Sequence, residues 1–352
     1  MGQQDGLRKV TWKTLVLYGM GDLYGGGSFL IIGTLLFFFL TQEVGLTPAL
    51  AGLVPLIGKG FDAVSDPLMG YITDATKSRF GRRRVYFLVG IVPIAVTFAL
   101  LWLPIDSSNQ VLLFVYYSIA YVLFSVAFTM VMVPYSALNA EMTNDYRDRT
   151  RLSGSRIAFS QLSALLGGTI PGIIINMDAS DPGSGYFIMG IVFGIFYALP
   201  WILVFIGTWE LPHAPVRTGG KPIAYIKRLA SIFKNRSLRV HIGMYLAAYT
   251  AIDVLMAVVA LFLTHYLGRP ELFSVALGSL LLVQILMLPV YVLISNRFGK
   301  GTAYRIGLTI MAVVLLTVYF VVTPETPTVM VAVFFALVGA GVSAGTMIPW
   351  AI

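Results

Sequence analysis

Ten apolar stretches, each about long enough to cross a bilayer as a helix, leave this chain few folds to choose from. They fall at 12–40, 46–73, 85–104, 111–139, 153–176, 186–209, 239–267, 272–295 and 304–323, with a tenth from near 328 that still runs at Ile352. A hydrocarbon core takes roughly 20 apolar helical residues, and backbone polar groups inside it must be satisfied within the segment. The pattern therefore predicts an all-α polytopic membrane protein. Only 11% of the 352 residues are charged while 57% are apolar, which leaves little surface suited to water. The first stretch is long, Gly-interrupted and without a small-residue cleavage site, so it reads as a retained helix and not a signal peptide.

Charge placement sets the topology. Arg8, Lys9 and Lys13 precede the first stretch; Lys77, Arg79, Arg82, Arg83 and Arg84 join the second to the third; Arg147, Arg149 and Arg151 join the fourth to the fifth. Seven more, from Arg217 to Arg239, fill the connection before the seventh, and Arg297, Lys300 and Arg305 join the eighth to the ninth. With alternating helices all of these loops share one side, and the opposite loops hold only Arg269. The positive-inside rule makes the basic side cytoplasmic, with the N-terminus inside a multi-pass protein of the cell (inner or plasma) membrane. The net charge of +8 thus belongs to loops and gives no reason to invoke nucleic acid. There is no Cys, the three His lie far apart, and no nucleophile–base set or metal cluster appears. The chain is not expected to be an enzyme or to need a cofactor beyond a coupling ion.

The connection at about 210–238 is the longest and most polar, with Pro212, Pro215, Gly219, Gly220 and Pro222 before a short amphipathic piece, AYIKRLASIFK. It divides the chain into an N-terminal six-helix bundle (1–210), a linker (211–238) and a partial second bundle (239–352). RFGRRR at 79–84 and RFGK at 297–300 each follow the second stretch of their half, an echo that suggests a parallel internal repeat. From that symmetry the chain is expected to be cut inside its tenth helix.

Removing loop charges leaves Asp22, Lys59, Asp62, Asp66, Arg156 and Asp253 at membrane depth. Each such charge costs roughly 2.5–3.5 kcal/mol on insertion scales, so it tends to be kept for a task. Lys59, Asp62 and Asp66 are spaced three and four residues apart and share one helix face, with Ser65 beside them. Two carboxylates one turn apart repel when both are ionised in a dry place, and a small cation or a proton relieves them. Na⁺ takes oxygen ligands, and Thr129, midway along the fourth stretch, is a candidate to complete the set. The plainer reading is an ion pair of Lys59 with Asp62 or Asp66, which leaves a second carboxylate uncompensated. Asp22 and Asp253 are single acids that either pair locally or touch a ligand. Arg156 either snorkels to the interface or faces a cavity and holds a hydroxyl, phosphate or carboxylate. Tyr18 and Tyr135 lie deeper than the other Tyr and Trp residues, most of which sit where interface anchors do.

The stretch FDAVSDPLMGYITDATKSRFGRRR (61–84) closely resembles the signature of the glycoside–pentoside–hexuronide:cation symporters of the major facilitator superfamily. VPYSALNAEMTNDYRDRTRLSGSR (133–156) resembles that family's helix-four-to-five segment, and YGMGDLYG (18–25) and MIPWAI (347–352) fit as well. The resemblance implies a V-shaped pair of pseudo-symmetric six-helix bundles, twelve helices in a full member, with alternating access to a central cavity. It places Asp62 and Asp66 on the paired acids of the cation site, Thr129 on the nearby hydroxyl, and Arg156 on an arginine serving substrate and gating. It places Asp74, Arg79 and Arg82 in a cytoplasmic latch. The family's galactoside carriers have acids where Gly26 and Met132 align here, so galactosides are disfavoured. The expectation is Na⁺- or H⁺-coupled symport of a sugar or glycoside, with ion ligands Asp62, Asp66, Ser65 and Thr129 and substrate contacts from Arg156, Lys59, Asp22, Tyr18, Tyr135 and Asp253. A lysophospholipid or other amphiphile symporter and a non-transporting ligand sensor are the alternatives.

Overall fold

The computed structural model of the chain describes residues 9–177, 182–211, 235–269 and 272–351. All ten apolar stretches are helical, and seven helical spans are long and apolar enough to cross a membrane by length and composition. The helices are α1 (Trp12–Gly19), α2 (Asp22–Ile31), α3 (Pro48–Ala75), α4 (Val85–Val89), α5 (Ile91–Leu101), α6 (Gln110–Met142) and α7 (Tyr146–Ile175). They continue as α8 (Pro182–Ala198), α9 (Pro200–Gly207), α10 (Arg236–Leu261), α11 (Leu272–Phe298), α12 (Lys300–Val321) and α13 (Thr328–Ala351). Length does not keep α3 out of the spanning set; Lys59, Asp62, Asp66 and Asp74 pull its hydropathy down.

Local chemistry explains the ends and breaks. The Asn109 side chain accepts from the backbone N–H of Val111 and Leu112 at 3.0 and 3.2 Å and starts α6, and Asn235 does the same for α10 through Ser237. Pro48 and Pro200 occupy first-turn positions, where a missing N–H costs nothing. The first, third and sixth stretches are each broken into two helices, at Met20–Gly21, Gly90 and Leu199–Pro200, where Gly and Pro weaken the ladder.

The chain forms two compact units, Met1–Asn144 with Leu162–Thr218, and Asp145–Gln161 with Gly219–Ile352. The amphipathic piece expected before α10 lies outside the described residues. In the first unit α3 packs on α6 and α5 on both α6 and α8. Its interior is aromatic: Phe98 meets Tyr197 edge-on at 5.3 Å, and Trp102 stacks on Tyr186 at 6.1 Å. In the second unit α13 packs against both α11 and α12. Lipid offers apolar groups no reason to associate, so close packing and interhelical hydrogen bonds hold such helices together. Tyr117 Oη donates to the Leu103 carbonyl at 2.7 Å in the first unit, and Tyr304 Oη to the Met244 carbonyl at 2.8 Å in the second.

The repeat is visible in backbone conformation. Among the described residues, positive φ occurs at four glycines: Gly45 (75°), Gly81 (102°), Gly268 (63°) and Gly299 (85°). Gly81 and Gly299 are the glycines of the two RFG turns. Gly45 and Gly268 close FLTQEVG (39–45) and FLTHYLG (262–268), each of which winds into a π-helical turn. Val44 N–H bonds to the Phe39 carbonyl at 3.1 Å and Leu46 N–H to Leu40 at 2.8 Å; Leu267 to Phe262 and Arg269 to Leu263 repeat both bonds at 3.0 and 2.9 Å.

Candidate functional site

One face of α3 meets one face of α6. At Gly58 the Tyr121 ring lies where a Cβ would stand, so glycine is what lets the two helices come this close. A turn further along α3, Asp62 has Ser125 and Tyr121 of α6 around its carboxyl. Asp62 Oδ1 and Ser125 Oγ are both buried and face each other, without closing a hydrogen bond of full geometry. The next turn carries Asp66, whose Oδ1 accepts from Thr129 Oγ1 at 2.7 Å; Ser65 Oγ lies 3.5 Å from the same Thr129 hydroxyl. Thr129 is buried, Asp62 and Ser65 are half-buried, and Asp66 is exposed.

Five oxygen-bearing side chains thus converge: two carboxylates and the hydroxyls of Ser65, Ser125 and Thr129. Two carboxylates one turn apart and partly removed from water are costly to leave ionised together, and a hard cation or a proton removes the cost. Among the described residues no ion pair joins Lys59 to either acid. Lys59 lies on the exposed side of α3 and borders a cavity of about 280 Å³ lined also by Phe29, Ile32, Leu36, Pro55 and Tyr121.

The other sequence-derived candidates scatter. Tyr18 and Tyr135 are fully buried, and each hydroxyl donates to the other's carbonyl, at 3.3 and 2.7 Å, which clamps α1 to α6. Asp22 is buried in the first turn of α2, with its carboxyl against Gly25. Arg156 is 4% exposed and sits about 15 Å along α7, deep for a snorkelling arginine. The side chain of Asp253 lies outside the described residues.

The basic turn after α3 is a knot that the sequence showed only in part. Asp74 pairs with Arg83 at 2.8 Å, and Arg82 and Arg83 share Glu141 of α6 at 2.6 and 2.8 Å. Arg79 instead lies over the Phe80 ring, 4.7 Å from its centroid. Arg83, Glu141, Ser125 and Glu210 were not singled out from sequence. The two glutamates end apolar helices next to loops, where an acid looks like ordinary solvated surface.

Residues 17–352 match the family described as MFS/sugar transport protein. The glucuronide carrier protein homolog of Escherichia coli is 28% identical, over 98% of this chain and 75% of that protein. The sodium-dependent lysophosphatidylcholine symporter 1 of Gallus gallus is 25% identical, over 93% of this chain and 68% of its own length. In three dimensions the chain is similar to the major facilitator superfamily proton:xylose symporter XylE bound to 6-bromo-6-deoxy-D-glucose. The TM-score is 0.68 at 13% identity, covering 97% of this chain and 81% of that one.

Proposed function

Because the chain belongs to the MFS/sugar transport protein family, among the glycoside–pentoside–hexuronide:cation symporters, we propose that it couples a monovalent cation to symport of a sugar or glycoside by alternating access. The observation that carries this reading is the oxygen cluster on α3 and α6, where Asp62 and Asp66 stand one turn apart with the hydroxyls of Ser65, Ser125 and Thr129 beside them. Na⁺ or H⁺ binds at Asp62 and Asp66, and Ser65, Ser125 and Thr129 supply neutral oxygens. The sodium-dependent relative supports Na⁺ as the first ion to try. Arg156 offers a fork of donors to a substrate hydroxyl or carboxylate. Asp22, Tyr18, Tyr135 and Lys59 act closer to packing and charge balance than to direct contact. Asp74, Arg79 and Arg82, joined by Arg83 and Glu141, form a latch that ties the end of α3 to the end of α6. The basic loops support a cytoplasmic N-terminus in an inner or plasma membrane. Coupling requires ion and substrate each to favour the other's bound state by about 1–3 kcal/mol.

The test is uptake of labelled glucuronide or neutral glycoside into vesicles, with Na⁺ and pH varied, for the parent, Asp62→Asn and Asp66→Asn. Unchanged cation dependence in both variants removes the site. A second reading, an amphiphile as cargo, is favoured by the largely apolar cavity bordered by Lys59. Competition of uptake by lysophosphatidylcholine, with no competition by glycosides, would replace the sugar reading with that one.

A further inference from the structure

Glu210, just beyond α9, points its carboxylate into the arginine turn, where backbone N–H groups receive it. Oε2 accepts from Arg82 N–H at 3.1 Å, and Oε1 accepts from Arg83 and Arg84 N–H at 3.0 and 3.1 Å. Three successive amides converging on one anion form a nest, the backbone arrangement that binds phosphates elsewhere. Here the anion is part of the chain. Gly81, at φ 102°, makes the nest possible twice over: it takes the left-handed conformation, and a Cβ there would stand 2.5 Å from Glu210 Oε1.

The same few residues grip the rest of the knot. Arg84 Nη2 donates to the Phe205 carbonyl at 2.5 Å, and its guanidinium lies 4.4 Å over the Phe205 ring. Trp209 Nε1 donates to the Met142 carbonyl at 3.0 Å, and Leu211 N–H to the Glu141 carbonyl at 3.0 Å. Residues 205–211 therefore fasten the turn to the end of α6, where Glu141 receives Arg82 and Arg83. Four arginines within six residues repel one another, and a turn of that charge needs a central anion to hold one shape.

We infer that Glu210 is a positioning residue for transport: its carboxylate sets the arginine turn in the form that lets Arg82 and Arg83 share Glu141, and so makes the ends of α3, α6 and α9 move as one body. The transport part of this inference rests on the symport reading above; the structural part does not. At the matching RFG turn of the second unit, nothing among the described residues lies within 4 Å of a Cβ built on Gly299.

The chain has no cysteine, so a single thiol reports on the knot cleanly. Met142 is 1% exposed under Trp209, and Met142→Cys in the full chain gives a probe whose maleimide labelling needs local opening. Glu210→Gln and Glu210→Ala are each expected to speed labelling about tenfold or more, the effect of losing one charge-assisted hydrogen bond. Glu210→Asp should recover part of the protection. Uptake should lose maximal rate several-fold while half-saturating ion and substrate concentrations stay within about twofold, because neither ligand touches Glu210. Gly81→Ala, which keeps the acid but crowds it, should speed labelling in the same way and covers the case in which the Glu210 variants fail to fold. Labelling within twofold of the parent in the folded variants overturns the inference, as does a shift in half-saturation at unchanged maximal rate. If the parent transports nothing, the symport reading falls, and labelling still decides the role of Glu210 in the knot.

Discussion

In each unit the second long helix ends in an RFG turn with its glycine at positive φ, and fifteen residues before that glycine stands a polar side chain that engages a threonine two long helices on. In the first unit these are Asp66 and Thr129, 2.7 Å apart; in the second they are Gln284 and Thr346, 3.3 Å apart. The scaffold is shared and the charge is not. Gln284 is buried, and Ser343 Oγ donates to its backbone carbonyl at 3.0 Å, so an amide there closes a neutral clamp between α11 and α13. Asp66 is exposed and has a second acid one turn away. The turns diverge likewise: Gly81 is pressed by Glu210, whereas among the described residues nothing presses Gly299, and Lys300 rests 3.6 Å over the Tyr146 ring. The difference teaches that one frame carries a neutral polar clamp in one copy and carboxylates in the other.

The comparison breaks most sharply by moving the charge. Gln284→Glu puts a carboxylate into a buried site that now holds an amide, and it should lower stability by about 3–5 kcal/mol, read as a drop in unfolding temperature of the purified protein. If stability is unchanged, the second site is not the closed, neutral copy described. Next, Asp62→Asn or Asp66→Asn should weaken ion binding by about tenfold to a hundredfold, since each removes a charge-assisted contact worth about 1.5–3 kcal/mol. The Na⁺ dependence of thermal unfolding measures this directly. Thr129→Val should weaken the ion by roughly fivefold, for a loss of about 1 kcal/mol, while Thr346→Val should leave ion dependence where it was. Equal effects from the two threonines would mean that both copies handle ions. The smallest difference concerns the turns. Gly81→Ala and Gly299→Ala each carry about 1 kcal/mol of backbone strain, and Gly81→Ala should cost about 1 kcal/mol more because its methyl meets Glu210. Denaturant midpoints of the two variants provide the check.

By itself the sequence determined the class of fold and the face on which the acids sit. Apolar length dictates spanning helices because lipid leaves backbone groups no outside partner, and three- and four-residue spacing puts Lys59, Asp62 and Asp66 on one side whatever surrounds them. The family signature rested on local runs of residues, and those are legible without coordinates. The FLT–G echo at 39–45 and 262–268 was legible too, and would have strengthened the repeat. The tertiary structure alone decided which side chains from distant helices meet. Ser125 beside Asp62, Glu141 between two arginines, Glu210 in its nest and Thr346 on Gln284 depend on how helices pack, and helical periodicity reports only one helix at a time. It also showed that Tyr18 and Tyr135 give their hydroxyls to each other's carbonyls. An acid's spacing tells which way it faces; what it faces is set by the helix opposite.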